Sequence, residues 1–192
     1  MTEVPGPFQV VETGLPGLKL LQPRIFTDAR GRFVKTYHAE AFAAAGMDFV
    51  PREEFFSISG KGVLRGMHFQ VPPAAHQKLV YCLQGRVLDV VLDVRSGSPT
   101  RGKTYNRELS GEQPELLFIP KGFAHGFLAL ENDSLMVYQT DTIHTPECDA
   151  GVLWNSFGFQ WQMDSPIMSD RDRSFPKLET FISPFQWEGG RS

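Results

Sequence analysis

Short runs in which apolar and polar residues alternate recur along most of the chain. They predict strands at 17–25, 31–37, 53–59, 63–70, 78–84, 86–94, 103–109, 115–120, 125–131 and 134–141. A period of two sends successive side chains to opposite faces of a sheet. Glycine and proline, 18 and 14 in number, mostly punctuate these runs, as turn residues do. Gly85, between "KLVYCLQ" and "RVLDVVLDV", reads as a tight hairpin, and "ENDS" at 131–134 as another turn. One stretch, "HAEAFAAAGM" at 38–47, has helical character, with Gly46 to close it. So many short strands predict an all-β jelly-roll barrel whose interior can hold a ligand. The barrel core is expected at about 17–141 and a C-terminal loop appendage at about 142–192, all in one domain.

Composition narrows the class. A chain of 192 residues, 41% hydrophobic and 21% charged, suits one globular domain with a real core. A net charge of −3 and a pI near 5.9 argue against a broad nucleic-acid surface. The start "MTEVPGPFQVVETG" lacks the apolar run of a signal peptide, and no stretch approaches membrane-span length, so a cytoplasmic chain with no membrane partner is expected. Cys82 and Cys148, far apart, fit a reduced chain better than a disulfide framework or a zinc site.

Polar residues inside the strand pattern carry the chemistry. "VLRGMHFQVPPAAHQKLVY" at 63–81 alternates like a strand, yet holds Arg65, His68 and Lys78 among its apolar residues. Unpaired charge is costly in a core, so these side chains either face solvent or line a pocket. The segment "IPKGFAHGF", with His125, raises the same choice. Pro120-x-Gly122-x-x-His125 resembles the second motif of a cupin barrel. The first motif would then offer His68 and Lys78, and a protonated lysine is all donor, so no metal is expected. Tyr138, a lone aromatic in "LMVYQT", reads as packing by itself, and Asp172 in "SDRDRS" as part of a solvated turn.

Taken together, "DARGRF", "VLRGMHFQ", "KLVYCLQGRVLDVVLDVRSGSPTRG", "IPKGFAHGF" and "PIMSDRD" resemble, in order and spacing, the dTDP-4-dehydrorhamnose 3,5-epimerase family. The resemblance implies a cupin-type jelly roll without metal or redox cofactor, usually a homodimer, acting on a nucleotide-linked 4-keto-6-deoxyhexose. It implies that His68 is the base, oriented by Asp172, that Lys78 stabilises the enolate oxygen, and that Tyr138 returns a proton from the opposite face. Arg65 and His125 would line the site, Arg65 suiting a diphosphate, and Arg30 and Phe33 fall in the matching upstream segment. Four positions depart from the family's pattern: Lys35 replaces a Glu, Glu53 a Gln, Phe55 an Asn and His144 a second Tyr. These substitutions leave open a CDP-linked substrate and inversion at one carbon only. A lysine offers donors alone, whereas thymine N3–H needs an acceptor. Two readings from other classes remain beside the enzyme: a non-catalytic cupin sugar-binding module and a metal-dependent cupin oxygenase.

Overall fold

The computed structural model describes residues 6–189. A six-stranded antiparallel sheet runs β1-β2-β10-β7-β12-β5, comprising Phe8–Glu12, Lys19–Pro23, Leu116–Ile119, Lys78–Gln84, Ser134–Thr140 and Glu53–Ser59. A five-stranded sheet runs β13-β6-β11-β8-β9, comprising Asp149–Gly151, Leu64–Gln70, Phe123–Ala129, Arg86–Asp93 and Thr104–Ser110. A separate hairpin pairs β3 (Ile25–Asp28) with β4 (Gly31–Val34). From β5 to β12 the chain passes from one sheet to the other at every connection except β8–β9. This is the expected jelly roll.

Alternation sorts the side chains into three apolar layers. In β7, Val80 and Cys82 join the cluster between the sheets, while Leu79 and Tyr81 join a second cluster outside the six-stranded sheet. In β8, Val87 and Val91 point between the sheets, and Leu88, Val90 and Leu92 point outward. Both outer faces are covered, the first by Phe42, Met47 and Phe49, the second by Val152, Trp161 and Phe185. The central strands β7 and β8 are therefore apolar on two faces. A polar residue on the inner face must find a partner or line a cavity.

Several expectations change. Gly85, at φ 71°, is no hairpin: β7 pairs with β10 and β12, and β8 with β11 and β9, so the chain crosses between sheets there. The run at 17–25 divides, with β2 staying in the sheet and Ile25 opening the projecting hairpin. The run at 31–37 ends at Val34, and the chain turns toward helix α1 (Ala39–Ala44). His38 caps α1 through Nδ1, which accepts from the Ala41 N–H, and Gly46 follows the helix at φ 72°. Strand β1 went unsignalled. In the C-terminal segment, β13 extends the five-stranded sheet beside β6, and "SDRDRS" is not a solvated turn. It holds the short helix α2 (Asp170–Arg173), capped by Ser169, with Asp172 only 3% exposed.

Candidate functional site

Lys78, at the start of β7, shares the face of Val80 and Cys82, and Tyr138 shares the face of Met136 on β12, so both point between the sheets. On β11, His125 alternates in phase with Phe123 and Phe127 and points inward as well. Arg65 and His68 need more than alternation, because residues three apart on a regular strand face opposite ways. The register supplies it: His125 pairs with His68, but Phe127 pairs with Arg65, so Gly66 and Met67 of β6 lie opposite the single Gly126 of β11. This bulge turns Arg65 and His68 toward one side. Two glycines permit it. A Cβ on Gly66, at φ 137°, would lie 2.6 Å from the Gly126 Cα, and one on Gly126 would lie 2.8 Å from the Arg65 carbonyl oxygen.

These side chains open into a cavity of about 260 Å³ between the sheets. Of the residues expected from the sequence, Glu53, Phe55, Arg65, His68, Lys78, His125, Tyr138 and His144 line it. Asp172 stands behind His68, its Oδ1 2.9 Å from the ring Nε2 and its Oδ2 accepting from the Gly66 N–H at 3.0 Å. Arg30, Phe33 and Lys35 lie elsewhere. Arg30 and Phe33 belong to the β3–β4 hairpin, where Arg30 is paired with Asp28 and Phe33 is exposed, and Lys35 follows it at the surface.

Electrostatics set the state of each group. Burial lowers the His68 pKa, Asp172 opposes that shift, and Lys78 and Arg171 reinforce it, so the net shift is downward. Burial also raises Asp172, but hydrogen bonds from His68, the Gly66 N–H and Ser169 outweigh it and hold the carboxyl well below its ordinary value. Lys78 is pushed down to about 8 by burial, against the pull of Asp149 and Asp89, and donates to the His68 carbonyl at 3.2 Å. Tyr138 is driven upward by burial, which keeps its phenol protonated. Its ring stacks on Phe55 at 4.8 Å, and its hydroxyl lies 3.3 Å from Ser57 Oγ. The cavity therefore offers a neutral imidazole backed by a carboxylate, a cation whose pKa lies close to neutrality, and a neutral phenol on the facing sheet.

Sequence pattern singles out none of Ser57, His76, Asp89, Asp149 or Arg171. Ser57 continues the period-two face of Glu53 and Phe55, and that phase marks it in retrospect. Asp89 sits among valines and leucines in β8, fully buried, and binds His125 Nε2 at 2.7 Å. Arg171 neighbours Asp172 and bonds to Asp149, while its Nη2 lies 2.9 Å from His68 Nε2. One ring nitrogen cannot both donate to Asp172 and accept from Arg171. The Asp172 bond is the better supported, because it gives Oδ1 a closer donor than the Arg171 Nε at 3.3 Å. Among the described residues, no group of three or more His, Cys, Asp or Glu side chains could hold a metal ion. Cys82 and Cys148 are free and buried, and no helix of the described residues is long and apolar enough to cross a membrane.

The chain is similar to known proteins over most of its length. The family model of dTDP-4-dehydrorhamnose 3,5-epimerase matches residues 12–180. A dTDP-4-dehydrorhamnose 3,5-epimerase of Shigella flexneri is 39% identical over 181 residues, covering 90% of this chain and 99% of that one. The solved dTDP-6-deoxy-D-glucose-3,5-epimerase of Legionella pneumophila, in complex with dTDP-4-keto-L-rhamnose, superposes with a TM-score of 0.88 at 31% identity, covering 95% of this chain and 100% of that one. A 3'-monoepimerase of Streptomyces bikiniensis in complex with dTDP-quinovose superposes with a TM-score of 0.83 at 33% identity, covering 87% and 86%.

Proposed function

The chain belongs to the dTDP-4-dehydrorhamnose 3,5-epimerase family, and we propose on that premise that it inverts carbons beside the ketone of dTDP-4-keto-6-deoxyglucose. It is a nucleotide-sugar epimerase, an isomerase that moves protons and changes no oxidation state. One observation carries the mechanism: His68, backed by Asp172 of α2, on one sheet and Tyr138 on the other face a single cavity, with Lys78 at its wall.

A proton on the carbon next to a ketone is acidic only to the extent that the resulting enolate is stabilised. Lys78, protonated below about 8, is the donor for the enolate oxygen, and preorganised stabilisation of this kind is worth about 10²–10³ in rate. His68 is the base. With its Nε2–H given to Asp172, Nδ1 keeps a lone pair, and the carboxylate stabilises the imidazolium that forms. Inversion requires the proton to return from the other face, and Tyr138 is the acid there. Its raised pKa keeps the proton available. Arg65, held by Ser59 Oγ at 3.0 Å, is the group for the diphosphate.

The hairpin residues Arg30, Phe33 and Lys35 enter this account through assembly. Ile25, Phe26 and Phe33 are 43%, 53% and 61% exposed on the hairpin, and Phe56 and Ile58 are 64% and 54% exposed on the edge strand β5. Apolar side chains beside an unpaired strand edge suit a homodimer in which the hairpin reaches a neighbour's cavity. Incubation with dTDP- and CDP-linked 4-keto-6-deoxyglucose, followed by NMR of the sugar, tests the reading. Inversion of the dTDP sugar at C3 and C5 is expected. Preference for the CDP sugar would move the assignment to the nucleotide that Lys35 suits, and inversion at one carbon would place the chain with the monoepimerases. No inversion of either sugar would leave a binding module.

A further inference from the structure

His76 takes no part in the mechanism above, yet it lines the same cavity two residues before Lys78, on the segment that leads into β7. Its hydrogen bonding fixes its tautomer. The buried Gln70 accepts the Thr145 N–H at Oε1, 2.6 Å away, so its Oε1 is the acceptor end and its Nε2 the donor end. The Gln70 amide then donates to the Ala74 carbonyl at 3.2 Å and to His76 Nδ1 at 3.0 Å. An Nδ1 that accepts leaves the ring proton on Nε2. That Nε2 is buried and has no hydrogen-bond partner among the described residues. Native structures rarely leave a buried donor unpaired, and each exception calls for an explanation.

We infer that His76 is a neutral hydrogen-bond donor to the sugar of the substrate, its Nε2–H serving a sugar oxygen near the ketone assigned above to Lys78. The inference rests on the proposed function for the identity of the sugar. Acceptor chemistry follows from the surroundings: Lys78, His144 and Lys121 are the charged and titratable groups that act on His76, and they disfavour a second cation. Burial is the larger influence, and together they push the imidazole down to about 2, so the donor keeps one form throughout the working pH range. A sugar oxygen accepts from such a group without proton transfer. This separates His76 from His68, whose ring must take up a proton.

Two isosteric substitutions split the ring's two nitrogens. His76→Asn keeps a polar atom at the Nδ1 position for Gln70 and removes the unpartnered Nε2 donor, whereas His76→Gln places an amide at the Nε2 position. Both are compared in a His68→Ala background, which slows turnover by about 10²–10⁴, by calorimetric titration with dTDP-4-keto-6-deoxyglucose and with dTDP alone. For one neutral hydrogen bond, His76→Asn is expected to weaken the sugar nucleotide about three- to tenfold. It leaves dTDP affinity unchanged, and His76→Gln restores sugar-nucleotide affinity. Unchanged sugar-nucleotide affinity in His76→Asn would overturn the inference. So would an equal loss for dTDP, or a His76→Gln protein as weak as His76→Asn. The proposed function is judged separately, by turnover in the protein with His68 intact.

Discussion

Asp172→Asn removes one charge and keeps the shape of the side chain, so its cost follows from the hydrogen bonds around that carboxylate. Oδ1 faces His68 Nε2 at 2.9 Å and Arg171 Nε at 3.3 Å, Oδ2 faces the Gly66 N–H at 3.0 Å, and the Ser169 side chain also bonds to the carboxylate. Asparagine has a single acceptor oxygen, and the His68 and Arg171 donors at the Oδ1 position place it on the His68 side. The ring therefore keeps its tautomer but loses a charged partner. Hydrogen bonds to charged groups are worth about 1.5–3 kcal/mol, which predicts a 10- to 150-fold slower proton abstraction. The amide NH₂ now meets the Gly66 N–H, and an unpaired buried donor costs about 1–3 kcal/mol of stability. That deficit has a pH signature. A carboxylate whose pKa falls on folding stabilises fully above its ordinary value of 3.8 and loses this contribution as pH falls through the depressed value. The gap between variant and wild type should thus narrow in acid. Solvent exchange followed by NMR gives the rate, and urea titrations at several pH values give the stability. A variant that exchanges at the wild-type rate, or whose stability gap persists unchanged into acid, would refute the reasoning.

Tyr138→Phe should still wash solvent deuterium into the substrate through His68 while inverted product is largely lost; equal loss of both signals would make Tyr138 a packing residue. The pH profile of kcat/KM should be bell-shaped, its acid limb below 6.5, where His68 must be neutral, and its alkaline limb near 8, where Lys78 loses its proton. Lys78→Arg should move the alkaline limb upward, because a guanidinium stays charged, and an unmoved limb would assign it to another group. Light scattering should report a dimer at micromolar concentration, and a fully active monomer would remove the hairpin from the site.

The faces of the strands were legible because the pleat imposes a strict period of two, and Lys78, His125 and Tyr138 keep that phase. His68 and Arg65 were legible as polar outliers, but their convergence was not. It depends on a bulge that only the pairing of β6 with β11 creates. Asp172 looked like a solvated turn because local sequence cannot show that Ser169 caps a short helix against β6. Gly85 misled for a related reason. A glycine at positive φ permits a reversal but does not decide whether the next strand pairs with the last or crosses to the opposite sheet. Arg30, Phe33 and Lys35 lie in or just after a matching segment, yet the hairpin and the residue that follows it stand outside the chain's own cavity, and one chain's sequence cannot say whose site they serve.

The central claim is that His68 removes a proton from carbon beside the ketone, and proton exchange measures that step without requiring inversion. The wild-type protein in deuterated water should place deuterium at C3 and C5 of dTDP-4-keto-6-deoxyglucose. His68→Ala should lose about 10²–10⁴ of that rate, as general-base removal does, while its circular dichroism and melting remain those of a folded jelly roll. A folded His68→Ala protein that exchanges as fast as the wild type would contradict the account.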